Sequence, residues 1–143
     1  MSVIVEVSAV IERSVEVVFQ IHAAEHVSNH LRWDPYIQLE QITDGPIGVG
    51  TMIKRINSHS GVAVEGTMEV IEFIRNQSLG MIIKDGPVDT HGFAIYEPKG
   101  LDQTIYTLKT NFVGLEKSVT KSDLTGQMVD AIQIHKRFIE SEP

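Results

Sequence analysis

The chain has 143 residues, of which 42% are hydrophobic and 22% charged, and its formal net charge is −7. This size and composition are typical of one globular domain, residues 1–143, and the acidic balance argues against nucleic acid or an anionic membrane as the main partner. With no cysteine, disulfides, thiolate metal sites and cysteine nucleophiles are excluded. Residues 1–10 lack a basic segment, and no stretch approaches the roughly 20 apolar residues of a membrane span. We therefore expect no membrane insertion and a cytoplasmic location.

The first part of the chain predicts a strand followed by two short helices. Residues 2–12 are rich in β-branched side chains, which favours a strand. Ser14 is a suitable N-cap for a helix that continues to about residue 22, and a second helix is predicted over 24–31. That helix should end before Pro35, because a residue that precedes proline is pushed out of the α region.

Six further strands, joined by turns of hairpin length, predict an antiparallel meander. They cover residues 36–43, 51–58, 62–74, 78–84, 89–97 and 102–112. The glycine-rich segment 45–50 is interpreted as a turn and not as a phosphate-binding loop, because a strand follows it and the next lysine is Lys54.

Residues 115–140 form the one long segment with a clear helical period. One stripe of the predicted helix carries Leu124, Met128, Ala131, Ile132, His135, Phe138 and Ile139. Such a helix needs a sheet to lie on, and a twisted sheet of hairpin-linked strands curls around it. We therefore expect an α+β fold in the order β-α-α-β6-α: a curved antiparallel sheet of about seven strands around the long C-terminal helix. An internal cavity should open near the N-terminal half of that helix.

Four segments match the pattern of a known superfamily. They are the strand–turn–helix start 11–19, the Trp-Asp-Pro-Tyr-Ile segment 33–37, the glycine hairpin 45–51 and the final helix from 119 onward. With these segments the sequence resembles the START-like helix-grip superfamily (SRPBCC), in its polyketide cyclase/dehydrase-like branch. The superfamily often has a proline after the fourth strand, where this chain has Arg75-Asn76-Gln77. The resemblance implies the helix-grip fold, but the superfamily hosts carriers, receptors and enzymes, so it implies little about function.

Candidate ligand-binding residues come from three parts of the fold. The resemblance implies that Trp33 and Tyr36 lie near the cavity mouth, with plain core packing as an equal alternative. The more apolar face of each strand should point to the helix. On the last helix, Leu124 and Met128 should form the cavity wall. The predicted set is Trp33, Tyr36, Arg55, Leu79, Met81, Tyr106, Leu108, Leu124 and Met128.

The catalytic candidates are Arg55, His91 and Tyr106. If Arg55 points inward, it is a good anchor for a ligand carboxylate or phenolate, but both faces of its strand are mixed and its direction stays open. His91 and Glu69 raise the same question, with a rim or surface position as the alternative. His135 is expected to be a structural histidine, with a role as general acid or base as the alternative.

His22, His26 and His30 are spaced by four residues, which would allow a zinc site on one helical face. We expect solvated surface histidines and no metal instead, because zinc needs three or four ligands and the third would lie across a predicted helix break near Ala23. No cofactor motif is visible in the sequence.

The sequence therefore favours binding of a hydrophobic or aromatic small molecule, or a lipid, between the sheet and the C-terminal helix. Met68, Met81 and Met128 suit an irregular ligand. One alternative is a cofactor-free enzyme of the polyketide cyclase/dehydratase kind, in which polar cavity residues act as acid and base. A second alternative is a protein-interaction or stress-related module. In each case we expect a monomer or homodimer.

Overall fold

The computed structural model describes residues 2–143 and has the predicted element order. The strands are β1 (Ser2–Ile11), β2 (Ile37–Gln41), β3 (Met52–Asn57), β4 (Val64–Ile74), β5 (Ser78–Asp85), β6 (Val88–Pro98) and β7 (Thr104–Val113). The helices are α1 (Val15–Phe19), α2 (His26–Trp33) and α3 (Lys121–Ser141), and a π-helical turn, Gln20–Ala24, extends α1. Within residues 2–143, none of the helices combines the length and the apolar character that a membrane crossing requires.

All seven strands form one antiparallel sheet in the order β1-β7-β6-β5-β4-β3-β2. The predicted meander of β2 to β7 is confirmed, and β1 closes it by pairing with β7 along its whole length. The pairing of β4 with β5 shifts register between Val70 and Glu72, which marks a β-bulge. A bulge of this kind bends its strand and increases the local twist.

One face of the sheet packs against the helices. On this inner face Ile53, Met68, Met81, Ala94 and Tyr106 are all buried. They belong to β3, β4, β5, β6 and β7 in turn, so the inner face is apolar across the middle of the sheet. This agrees with the expectation that the more apolar face of each strand points to the helix.

Alternation along the strands fixes the direction of the polar candidates. Arg55 follows Ile53 by two residues and therefore lies on the inner face, whereas Lys54 lies on the outer face. In the same way His91 precedes the inner-facing Gly92 and Ala94, so it lies on the outer face of the sheet.

Helix α3 begins six residues later than predicted, at Lys121 instead of residue 115. A capping box sets this start: the Thr120 hydroxyl accepts from the backbone N–H of Asp123, and the Asp123 carboxylate accepts from the backbone N–H of Thr120. The residues before the cap form a loop, in which Leu115 and Val119 pack against Leu124 and Met128.

The short helices change direction where the π turn meets α2. The backbone N–H of Glu25 donates to the carbonyl of Gln20, at 2.9 Å, which is the five-residue step of a π turn. Two side chains of α2 bond to carbonyls of this turn: His26 Nδ1 donates to His22 O at 2.7 Å, and Asn29 Nδ2 donates to Ile21 O at 3.0 Å. These bonds fix α2 against the π turn and hold the His22 and His26 side chains next to each other.

Candidate functional site

A cavity of about 120 Å³ lies between α2 and the inner face of the sheet. Strands β4 to β7 supply its apolar wall, which consists of Met68, Leu79, Met81, Ile83, Phe93, Ala94 and Leu108, together with Gly92 and Thr110. The π turn and α2 supply three histidines, His22, His26 and His30, and β3 supplies Arg55. Apolar walls with a few converging polar groups are the usual composition of a small-molecule site.

The expectation that His22, His26 and His30 are surface groups is wrong. His22 and His26 are buried, and His30 is half-buried. Their helical face is the one that packs against the sheet and α3, so the four-residue spacing points all three rings inward. Within residues 2–143, no three His, Asp or Glu side chains converge in an arrangement that could hold a metal ion.

The three histidines and His135 of α3 surround Trp33. The ring centroid of Trp33 lies 5.6 Å from those of His22 and His26, 5.0 Å from that of His30 and 5.1 Å from that of His135. We call His22, His26, His30 and His135 the histidine cluster. The Nδ1 atom of His30 and the Nε1 atom of Trp33 are buried and have no hydrogen-bond partner within residues 2–143.

A chain of hydrogen bonds runs behind the cavity from Tyr96 to His135. The Tyr96 hydroxyl lies 2.6 Å from His22 Nδ1, and the Tyr106 hydroxyl lies 2.9 Å from His22 Nε2 and 2.8 Å from His135 Nδ1. Both tyrosines are buried, so the chain is shielded from water. Polar groups that are buried in this way stabilise a structure only when their partners are all present.

The chain allows two consistent proton arrangements when both histidines are neutral, because each hydroxyl and each neutral imidazole has one proton to donate. In one arrangement Tyr96 donates to His22 Nδ1, His22 Nε2 donates to Tyr106, and Tyr106 donates to His135. In the other every direction is reversed, and the buried hydroxyl proton of Tyr96 loses its acceptor. The first arrangement leaves no donor of the two tyrosines unused and is therefore favoured. His26 is fixed independently, since its Nδ1 must carry a proton to donate to the carbonyl of His22.

Burial keeps the cluster uncharged. Desolvation, reinforced by the neighbouring His135, holds the pKa of His22 well below its ordinary value. Desolvation likewise lowers the pKa of His26 to about 4 and that of His135 to about 3. Burial raises the pKa values of Tyr96 and Tyr106 well above 10. At neutral pH all five groups are therefore neutral hydrogen-bonding groups.

Arg55 is the one arginine or lysine that lines the cavity. Its Nε donates to both carboxylate oxygens of Asp85, at 3.1 and 3.0 Å, and Asn57 donates to the same carboxylate at 3.2 Å. The Arg55 side chain is 13% exposed and that of Asp85 is 21% exposed. Arg55 therefore points inward, which is one of the two directions that the sequence left open. An ion pair with Asp85 holds the Nε side of its guanidinium in place.

The predicted ligand-binding residues are distributed over four environments. Four of them line the cavity: Arg55, Leu79, Met81 and Leu108. Trp33 and Tyr106 lie one layer behind it, where both contact His22. Their direct contact with a ligand stays a prediction.

The expectation that Leu124 and Met128 line the cavity is not met. They form a separate apolar cluster with Val5, because the loop residues Leu115 and Val119 fill the space beneath the first turns of α3. Helix α3 lies along β1 instead, and its N-terminal half is packed. The cavity is consequently bounded by α2 and not by the N-terminal half of the long helix.

Two further candidates lie outside the cavity. Tyr36 is 57% exposed and packs on the ring of His59, whose Nε2 lies 2.7 Å from the Asp34 carboxylate. His91 lies in a groove on the outer face of the sheet, with Ile4, Phe93 and Lys109 among its neighbours. The sheet separates His91 from the cavity, so the structure contradicts its role as a catalytic group there. Glu69 is exposed on the same outer face.

A larger cleft of about 810 Å³ lies on the outer side of the short helices. It is lined by α1, by the turns at Ile47 and Asn76, and by the C-terminal Glu142. The buried histidines and Arg55 lie outside it. Since perturbed ionisable groups cluster at functional sites, the smaller cavity is the stronger candidate.

No family model and no curated protein matches this chain. Solved structures do match over nearly its full length. The structure of Ara h 8.0201 is 10% identical, with a TM-score of 0.78, and the alignment covers 99% of this chain and 100% of that one. A truncated norcoclaurine synthase from Thalictrum flavum is 14% identical, with a TM-score of 0.74, over 100% of this chain and 96% of that one.

An aromatase/cyclase from a Streptomyces species, ZhuI, is 13% identical, with a TM-score of 0.68, and the alignment covers 98% of this chain and 89% of that one. At such low identities these matches show that the folds are similar and nothing about a shared function. They agree with the seven-stranded antiparallel sheet and the long C-terminal helix described above. The chain therefore has the helix-grip fold, as its sequence predicted.

Proposed function

We propose that this protein binds a small aromatic or other apolar molecule in the cavity between α2 and the sheet. The observation that carries the proposal is the composition of the cavity wall. Apolar residues of four strands face three neutral histidines and the charged Arg55 across one cavity. The apolar side favours burial of a ring or short alkyl group, and the polar side can orient it.

The volume limits the ligand. At about 120 Å³ the cavity is slightly smaller than the roughly 150 Å³ engineered protein cavity that holds benzene. A single ring fits this space, whereas a lipid chain needs the cavity to open further, towards Leu124 and Met128. Lipid binding is the wider version of the proposal, and it requires the separate cluster around Val5 to loosen.

Gly92 offers a direct test, because a Cβ atom placed on it meets only the Thr110 hydroxyl, at 3.9 Å. Gly92→Leu should therefore fill the cavity without a backbone clash. We expect toluene to shift the amide signals of cavity residues in NMR spectra of the wild-type protein, and its affinity to fall at least about tenfold in Gly92→Leu, as expected when the space for several methylene-sized groups is lost.

His91→Leu is the matched control, since it adds a leucine one residue earlier on the same strand but on the outer face. Toluene affinity should be unchanged in this variant. Equal toluene affinity in Gly92→Leu and wild type would contradict the proposed location. The outer cleft near Ile47 would then be the alternative binding site.

Catalysis of the cyclase/dehydratase kind is the second candidate, favoured by one observation. His26 lines the cavity and donates through Nδ1, so its Nε2 carries a lone pair that could accept a proton. A general base works best when its pKa lies near the working pH, and the pKa of His26 is about 4. Binding is for this reason the better-supported function. Turnover of a poly-β-ketone analogue by the wild type, lost in His26→Gln, would reverse this order.

The setting of the protein is also a proposal. We propose a single domain over residues 1–143 that works in the cytoplasm as a monomer or homodimer. The acidic composition and the absence of cysteine support this setting. Cell fractionation tests the location, and light scattering of the purified protein tests the assembly state.

A further inference from the structure

The guanidinium of Arg55 has hydrogen-bond donors that its ion pair with Asp85 does not use. A guanidinium has five N–H groups, and Asp85 occupies only the one on Nε. The Nη nitrogens of Arg55 donate to no atom within residues 2–143. They are not among the buried atoms that lack a partner, so they face open space that water or a ligand atom can occupy.

The other polar groups of the cavity complement an acceptor. His30 lines the cavity, and its buried Nδ1 has no partner within residues 2–143. His22 and His26 have their Nδ1 atoms engaged by Tyr96 and by a backbone carbonyl. The cavity therefore has spare hydrogen-bond capacity at Arg55 and His30, and one of these two groups carries a full positive charge.

The negative charges near the cavity do not block an incoming anion. Asp85 faces Arg55 from β5, but its carboxylate is already shared by Arg55 and Asn57 on the Nε side. The other acidic group near the cluster, Asp34, accepts from His59 and from the backbone of Tyr36, outside the cavity. Among the described residues 2–143, no Asp or Glu lines the cavity. A planar carboxylate can accept two parallel hydrogen bonds from a guanidinium. An amide has only one acceptor oxygen and no negative charge, so it cannot form this pair.

We infer that the cavity takes a compact monocyclic carboxylate, with its ring against Leu79, Met81 and Leu108 and its carboxylate on the Nη nitrogens of Arg55. This inference rests on the proposed function, because it names the chemical class of the ligand for the same cavity. The carboxylate supplies the acceptor that Arg55 lacks, and the ring matches the apolar wall and the volume of about 120 Å³.

Benzoate and benzamide test the inference, because they have nearly the same shape and differ in charge. Titration calorimetry with the purified protein at pH 7.5 should give an affinity for benzoate about 10- to 100-fold higher than that for benzamide, the range for a hydrogen bond to a charged group. Equal affinities, or a preference for benzamide, would overturn the inference while leaving a binding cavity in place. Failure of benzoate, benzamide and toluene alike would overturn the proposed function as well.

Variants then assign the preference to Arg55. Arg55→Gln alone leaves the Asp85 carboxylate without its cation, so the informative variant is the double change Arg55→Gln with Asp85→Asn, which removes both charges. It should lose the preference for benzoate and bind benzoate and benzamide with equal affinity. Lys54→Gln is the matched control, since it removes one positive charge from the adjacent residue on the outer face, and it should keep the preference. An unchanged preference in the double variant would also overturn the assignment.

Discussion

The ring of His22 lies 2.9 Å, through Nε2, from the hydroxyl of Tyr106, and this contact joins the π turn to the middle of the sheet. The same hydroxyl lies 2.8 Å from His135 of α3, so one oxygen connects three layers of the structure. Tyr106 is fully buried. Its hydroxyl therefore holds the short helices, the sheet and the long helix in one arrangement.

Tyr106→Phe should be clearly destabilising, because it leaves both His22 Nε2 and His135 Nδ1 without a partner. Each buried group that loses its partner costs about 1–3 kcal/mol, so we expect the free energy of unfolding to fall by about 2–6 kcal/mol. Tyr96→Phe is the comparison, since it removes only the bond to His22 Nδ1 and should cost about half as much. Urea denaturation measures both variants. Equal losses in the two would contradict the central position of the Tyr106 hydroxyl.

The hydrogen-bond chain also predicts the tautomers of two histidines. His22 should carry its proton on Nε2, because the Tyr96 hydroxyl donates to Nδ1, whereas His26 should carry its proton on Nδ1, because it donates to a carbonyl. Nitrogen chemical shifts of ¹⁵N-histidine distinguish the two forms at pH 7.5. Finding His22 protonated on Nδ1 would mean that the chain runs in the opposite direction.

Stability should fall steeply in mild acid. His22, His26, His30 and His135 are neutral in the folded chain because burial lowers their pKa values, whereas the unfolded chain binds a proton at each below about pH 6.5. The unfolded state thus binds more protons, so the free energy of unfolding decreases as the pH falls from 6.5 towards about 4, the folded pKa of His26. Each histidine contributes up to about 1.4 kcal/mol per pH unit in this range.

Denaturation midpoints at pH 7.5, 6.5 and 5.5 measure this dependence. His26→Gln should reduce the slope, since glutamine does not titrate and its amide can still donate to the carbonyl of His22. His91→Gln, on the outer face, should leave the slope unchanged. A stability that stays constant between pH 7.5 and 5.5 would contradict the neutral, buried state of the cluster.

Gly126, in the second turn of α3, can be replaced by a residue that stabilises the helix. It is exposed, its φ is not in the left-handed region, and a Cβ atom placed on it meets nothing within 4 Å. Gly126→Ala should therefore raise the free energy of unfolding by about 0.5–1 kcal/mol, through the lower backbone entropy of the unfolded chain and the better helix propensity of alanine. A decrease in thermal midpoint would indicate that this position contacts a partner.

The fold could be predicted from the sequence because local residue patterns indicate each strand, turn and helix. The alternation in the strands and the short polar turns were enough to predict both ends of every strand to within about two residues. The start of α3 was placed too early, since the apolar residues Leu115 and Val119 extend the helical stripe into a loop. The capping box of Thr120 and Asp123 was the signal that marks the true start.

The site was less accessible, because it depends on which face of each element is buried. The four-residue spacing of His22, His26 and His30 was visible, but their burial was not. The missed signal is that the same stripe begins with the apolar Val15 and Val18 and ends with Trp33, which identifies a core-facing side. The direction of Arg55 needed the register of β3, which its mixed faces did not reveal.

The π turn has a consequence for how this site can change. A π turn amounts to one extra residue inserted into an α-helix. Deleting one residue from Gln20–Ala24 would replace the five-residue hydrogen-bond step of this turn with the four-residue step of an α-helix. The carbonyls of Ile21 and His22, which accept from the Asn29 and His26 side chains, belong to this turn and would change their positions. The seating of α2 and the position of His26 therefore depend on the number of residues in the turn as well as on their identity.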